Sequence, residues 1–361
     1  MNSLAEQLRR EIRETGSITF ARFMAVALYA PGVGYYEQAR GPGRAGDFFT
    51  SVSVGPLFGR LLAFQFARWL DRDLPEGQVR IAEAGAHDGR LAADILAWLE
   101  ACRPDLLERL EYCLLDSSPV RRRWQEETLR HWSRHTAWVE DITVFGPNSF
   151  CGLIFANEFL DALPIHRLAW GASARHWLEW RVAVVEEGFA WRLGELSVEA
   201  AKGLPKITDE LADVLPNGFI LEMAPQAAEW WSVAAKALRR GKLFTLDYGA
   251  ADGWFLPNRA QGTLRAFAHH HVSGDVLANP GGQDLTADVN FTALEEAGLA
   301  AGLRTAGRYR QAQFLTRIMA QSQAAPEVFG GWNQKNVRQF QTLTHPEHLG
   351  ARFQALVQSR S

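Results

Sequence analysis

Between residues 79 and 158 short apolar runs alternate with helical stretches, and few folds accept that pattern. The runs "VRIAEAG", "EYCLLDSS", "TAWVEDI" and "CGLIFANE" are seven or eight residues long and carry turn formers or acids at or near their ends. Between the first three lie "RLAADILAWLEACR" and "RRRWQEETLRHWS", which carry helical spacing. Strands alternating with helices of this length suggest βαβ units and a parallel sheet, which needs cover on both faces. The expected class is therefore α/β, with a mostly parallel, Rossmann-like sheet.

Different material brackets this core. Leu4, Leu8 and Ile12 recur every fourth residue before Gly16, which predicts an amphipathic helix over 3–15. "SITFARFMAVAL" restarts a helix with Thr19 as its N-cap, and "PLFGRLLAFQFARWLDR" reads as a buried one. The stretch 29–53 between them is rich in Gly and Pro, and its aromatics (Tyr29, Tyr35, Tyr36, Phe48, Phe49) argue for an ordered loop. After "DALPIHRL" the alternation breaks: "HWLEWRVAVVEEGFAWRL" predicts a hairpin turning at "EEG", an insertion into the fold. A helix at "APQAAEWWSVAAKALRRG" and the strand "KLFTLDYG" restore the pattern, and a long loop and a further helix follow. The expected units are a helical extension and lid over 1–75 and a main domain over 76–361, interrupted at about 165–220.

Composition narrows the function. A formal charge of −3 gives no reason to expect a nucleic-acid binder, although net charge leaves a local basic patch open. Cys102, Cys113 and Cys151 are scattered, which suits a reducing compartment and neither a disulfide framework nor a cysteine zinc site. No leader or membrane-spanning run is evident, so a soluble cytoplasmic protein without membrane insertion is expected. His269, His270 and His271 are adjacent and do not face one ion in regular structure, so no metal is expected. No Ser lies in a G-x-S-x-G elbow.

The strand ends carry the chemistry. In "EAGAHDG" Glu83, Gly85, His87 and Gly89 spell a glycine-rich turn between strand and helix, where backbone can approach a ligand closely. An acid at Glu83 repels a pyrophosphate but suits a ligand carrying an ammonium and a sulfonium, such as S-adenosylmethionine; an ordinary turn remains the competing reading. Asp116 ends the second strand, where a carboxylate can take both ribose hydroxyls; a helix cap by it, Ser117 or Ser118 competes. Glu140 and Asp141 end the third and could meet an adenine amino group. Asn157, Glu158, Asp161 and His166 crowd the end of the fourth, where paired carboxylates could hold a guanidinium; capping is the alternative.

These blocks together resemble a family of S-adenosylmethionine-dependent methyltransferases, the one that includes the mitochondrial complex I assembly-factor protein arginine methyltransferase and its bacterial relatives. The resemblance runs in order through "ITFARFMAVALYAPGVGYY", "AGDFFTS", "EAGAHDGRLAADIL", Asp116 with the "SSPVRRRWQ" that follows it, "NEFLDALP", "LDYG", "GTLRAFAHH" and "QDLTADVNF". It implies a class I methyltransferase sheet and methylation of arginine in a protein, with a respiratory-complex subunit as candidate substrate. Glu83, Gly85 and Gly89 match the cofactor loop, Asp47 a lid over the cofactor, and Asn157, Glu158 and Asp161 the substrate-side motif. The chain departs from the family in three places: His87 replaces a glycine, Asp116 a glutamate, and "VSVG" a proline–glutamate pair. His87 therefore keeps a catalytically silent assembly factor open as an alternative, and a small-molecule methyltransferase is another. The tryptophans of "WLEW" and "EWW" either pack internally or meet a partner or a second copy, making a homodimer a candidate.

Overall fold

Seven strands form the central sheet of the computed structural model, which describes residues 3–38, 50–250, 259–268, 271–347 and 349–361. In chain order they are β1 (Val79–Ala84), β2 (Leu110–Leu115), β3 (Thr136–Val139), β4 (Phe150–Asn157), β5 (Leu238–Ala250), β6 (Arg304–Arg310) and β7 (Phe353–Arg360). Their spatial order is β3-β2-β1-β4-β5-β7-β6, and Val289–Asn290 adds a short parallel pairing on β5. β1 to β5 run parallel, and β7 is antiparallel to both its neighbours. The chain thus leaves β1 toward β2 and β3, then returns to β1's other side as β4. Such a reversal opens a crevice at the carboxyl ends of the strands, where open α/β sheets bind ligands.

Each face of the sheet is covered, as its apolar strands require. Phe58, Leu62 and Phe66 of the helix Leu57–Asp73, with Ile95 and Leu99 of Arg90–Cys102, bury one face. Trp231 of Pro225–Ala237 and Phe291 and Leu294 of Phe291–Ala300 bury the other. Fully burying one such side chain is worth roughly 1.5–3 kcal/mol.

The N-terminal extension packs on the insertion. Leu4, Leu8 and Ile12 of Ser3–Thr15 are buried with Phe20, Phe23 and Val182. Thr19 caps Phe20–Tyr29 by accepting the Arg22 N–H at 3.1 Å. Ile18–Thr19 then pairs with His176–Val185 of the inserted sheet, which also contains His166–Gly171, Gly188–Gly194 and Ile220–Met223. The hairpin turns at Glu186–Glu187, as its sequence predicts. The tryptophans pack internally: Trp170 against Trp177, Trp191 against Phe20, and Trp231 donating to Gln358 at 2.7 Å.

The C-terminal third departs from expectation. The loop carries a sheet of Arg265–Ala268, His271–Ser273 and Asp284–Thr286, and the chain from Arg304 onward supplies β6, β7 and the helices Gln311–Gln323 and Gln334–Thr344. "RRRWQEETLRHWS" is helical only to Thr128, after which Arg130–Trp132 forms a tighter turn.

Candidate active site

The carboxyl ends of β1, β2, β4 and β5 open into one cavity of about 1040 Å³. Two groups of side chains line it: the glycine-rich turn after β1 with the end of β2, and the acids after β4 with residues from the extension and the C-terminal third.

On the first side β1 delivers Glu83, 2% exposed, where it accepts the Tyr112 hydroxyl of β2 at 2.6 Å. Burial pushes its carboxyl up to about 7, against the lowering effect of that hydrogen bond. Gly85 then turns left-handed with φ 72°, and a Cβ there would stand 2.8 Å from Phe159. Gly89, φ 81°, starts the next helix. His87 is also left-handed, φ 47°, a conformation at home in glycine and costing other residues roughly 1–2 kcal/mol. Its ring lies 5.8 Å from Trp124 with Nδ1 4.0 Å from Asp88, and its carbonyl accepts the Gln125 amide at 3.0 Å. The site therefore keeps the glycine-like backbone with an imidazole beside Trp124.

Asp116 ends β2 facing the same cavity, and it is fully engaged. Arg121 donates to it at 2.7 to 3.1 Å, Gln125 at 2.8 Å and the Ser118 N–H at 2.9 Å. Arg121 also reaches Glu37 of the extension at 3.0 Å, and Glu37 accepts the Ser118 hydroxyl at 3.0 Å. Ser118 caps the following helix, while Ser117 is exposed and lines the cavity. Asp141 lines the rim together with Glu140, but its carboxylate caps its own turn, accepting the Thr143 N–H at 2.7 Å and the Thr143 hydroxyl. In this structure the Asp141 carboxylate is thus engaged within its own turn. Asp47 lies outside the described residues, as do His269 and His270. The block it belongs to ends at Ser51, whose N–H donates to Glu158 at 3.0 Å.

The other side is built by a sharp exit from β4. Glu158 is left-handed with φ 50°, and Asp247 at the end of β5 accepts the N–H groups of Phe159 and Leu160 at 3.1 and 2.8 Å. Those bonds fix the turn that presents Asp161. Asn157 donates to Glu158 at 3.3 Å, while its Oδ1 is buried without a hydrogen-bond partner among the described residues. Burial, and then the nearby Asp247, push the Glu158 carboxyl up to about 8. Asp161 is raised well above the usual range by burial, then by Asp247, Asp284 and Glu158, with Arg265 opposing. His166 does not join them: it turns into the inserted sheet and pairs with Glu179 at 2.7 Å.

Sequence alone assigns no site role to Asp247, Asp284, Arg265, Tyr36, Glu37 or Arg121. Strand-end position could have found Asp247 in "LDYG"; the others come from separate segments brought together only by the fold. His271 is exposed, and no cluster able to hold a metal occurs among the described residues.

The sheet order, the switch-point cavity, and a strand-end acid on each of β1 and β2 define the class: a nucleoside-binding α/β transferase with a class I methyltransferase sheet. Residues 61–309 match a family described as "Putative S-adenosyl-L-methionine-dependent methyltransferase". The chain belongs to that family. It is 32% identical to a "likely methyl transferase" from Burkholderia thailandensis, solved bound to S-adenosyl-homocysteine, with TM-score 0.83 over 99% of this chain and 92% of that one. It is 28% identical to the Drosophila melanogaster mitochondrial protein arginine methyltransferase NDUFAF7 homolog, over 98% of this chain and 84% of the relative. The human mitochondrial protein arginine methyltransferase NDUFAF7 is 26% identical over 97% and 82%. These names correct the expected location: the curated relatives are mitochondrial, which points away from the cytoplasm.

The residues present fit S-adenosylmethionine. Gly85 leaves a space that a side chain would close against Phe159, and buried Glu83 offers a carboxylate suited to an ammonium. Asp116 fits a ribose diol only after Arg121 or Gln125 gives up a lone pair, since each carboxylate oxygen already accepts at least two donors.

Proposed function

We propose that this methyltransferase acts on an arginine side chain of a protein, with Glu83, Gly85, His87, Gly89, Asp116 and Ser117 on the cofactor side, Asp141 at the rim, and Asp47 in the lid. The observation that carries the reading is the half-buried Glu158 beside the buried Asp161 at the end of β4, in the same cavity as the glycine-rich turn after β1. The arginine methyltransferase names of the relatives support it. When bound, S-adenosylmethionine supplies an electrophilic methyl group on a sulfonium. Glu158 and Asp161 would hold the guanidinium by charge-assisted hydrogen bonds and orient one nitrogen toward that methyl. Arrival of the cation favours ionised carboxylates, and Glu158 then takes the proton lost as the nitrogen gains its methyl. Asn157 steadies Glu158, and Ser51 closes over it.

We propose further that the extension over 1–75 and the main domain over 76–361, with its insertion at about 165–220, are the working units. The helix Leu57–Asp73 serves the core of the second. A respiratory-complex subunit as substrate rests on the family resemblance; the homodimer has only the half-buried Trp180 and Trp191 of the hairpin behind it. The test is Glu158→Gln: methyl transfer to protein should fall by at least about 100-fold, while S-adenosylhomocysteine binding stays within about twofold. Equal loss of both would remove Glu158 from the acceptor side.

A further inference from the structure

The donors around Asp116 are distributed unevenly over its two oxygens, and that decides which of them can yield to a ligand. Oδ1 accepts three: the Ser118 N–H at 2.9 Å, and Arg121 Nε and Nη2 at 3.1 and 2.7 Å. Oδ2 accepts two, Arg121 Nε at 2.9 Å and Gln125 Nε2 at 2.8 Å. A carboxylate has about four lone-pair positions, two on each oxygen, and a diol held by both oxygens takes one on each. With Gln125 gone, Oδ1 would still be full. With Arg121 gone, each oxygen keeps one protein donor and gains one free position.

Gln125 is also the more firmly held of the two. It is fully buried, its Nε2 donates to the His87 carbonyl as well at 3.0 Å, and its Oε1 accepts the Trp138 indole N–H at 2.9 Å. Arg121, by contrast, has a second acid beside it. Its Nη1 donates to Glu37 Oε1 at 3.0 Å, and Glu37 Oε2 accepts the Ser118 hydroxyl at 3.0 Å. Among the described residues each Glu37 oxygen thus accepts one donor, against three and two on Asp116. A guanidinium carries five N–H donors in a planar fork and pairs with a carboxylate through two of them. Arg121 can therefore exchange its paired bonds to Asp116 for paired bonds to Glu37 without leaving its charge unmatched. That matters because the Arg121 and Glu37 side chains are only 15% and 7% exposed, and an unpaired charge is costly there.

We propose that Arg121 passes from Asp116 to Glu37 when Asp116 takes the cofactor's ribose, which makes Glu37 a positioning residue of the cofactor site and brings the N-terminal extension into cofactor recognition. This rests on the assignment of Asp116 to the ribose.

The experiment titrates the full chain calorimetrically with S-adenosylhomocysteine and with its 2′,3′-dideoxy analogue, which makes no claim on Asp116. The parent should prefer S-adenosylhomocysteine. Glu37→Gln keeps the shape but removes the charge that receives Arg121. It should weaken S-adenosylhomocysteine by about tenfold, leave the analogue within about twofold, and narrow the preference accordingly. Equal weakening of both ligands would make Glu37 a structural support, and no weakening of either would leave it without a part. Each of these overturns the proposal and leaves Asp116 with the ribose. A parent that binds both ligands alike, or neither, overturns the assignment of Asp116 and this proposal with it. If Glu37→Gln does not fold, a crystal structure of the parent with S-adenosylhomocysteine decides. Arg121 paired with Glu37 and Gln125 still on Asp116 supports the proposal; Arg121 retained on Asp116 overturns it.

Discussion

The two ends of the cavity are finished differently. At the cofactor end Asp116 sits in a closed lattice with Arg121, Gln125, Ser118 and, through Arg121, Glu37. At the end after β4 the half-buried Glu158 and the buried Asp161 are acids pushed toward protonation, and Asn157 Oδ1 has no partner among the described residues. A closed lattice is stable without ligand and must exchange partners to bind one. An under-satisfied acid cluster costs stability until a cation arrives, so it favours whatever brings charge and N–H donors. On the proposed assignment, the same cavity would take a neutral diol at one end and a cation at the other.

The largest expected effect breaks the cofactor end. Gly85→Ala places a Cβ 2.8 Å from Phe159 on a left-handed backbone, and S-adenosylhomocysteine affinity should fall by about 100-fold or more. Calorimetry showing binding within about threefold of the parent would mean that the loop has slack the geometry denies.

A smaller effect sharpens the contrast through pH. Glu83 titrates at about 7 when folded, above its ordinary value of 4.5. Its stabilising contribution is therefore complete below about 4.5 and is lost as pH rises through about 7, a window worth on the order of 3 kcal/mol. A bound ammonium favours the ionised form, so binding should release a proton and strengthen by about tenfold between pH 6 and 8. Titrations in buffers of different ionisation enthalpy read the proton directly. Glu83→Gln should abolish both the release and the slope; an unchanged slope would assign it to another group.

The smallest effect concerns His87. Its ring sits by Trp124, so His87→Gly should change S-adenosylhomocysteine affinity by less than about threefold. A gain of about tenfold would show the imidazole obstructing the cofactor.

What was legible in the sequence follows from range. Strand–helix alternation and strand-end acids are local, so β1 to β5, Glu83, Asp116 and Glu158 could be read directly. β6 and β7 could not: "RTAGRYR" and "FQALVQSR" carry weak local signals and are fixed by pairing with each other and with β5. The Glu37–Arg121 and Tyr36–Asp284 contacts span 84 and 248 positions, and no spacing rule connects such pairs. His87 stood out because it departs from the family's glycine, and the left-handed backbone beneath it gives the physical reason a glycine belongs there. His166, by contrast, was close in sequence to the acids but is drawn into the inserted sheet by Glu179.

The central claim is that one cavity joins a cofactor end at β1 and β2 to an acid cluster after β4. A crystal structure with S-adenosylhomocysteine tests it most directly. The ribose should lie on Asp116 with Arg121 or Gln125 displaced from it, the amino group on the Glu83 side of the Gly85 turn, and the sulfur facing Glu158 and Asp161, with the His87 ring still beside Trp124. A ligand bound elsewhere, or a sulfur facing away from Glu158 and Asp161, would contradict the account.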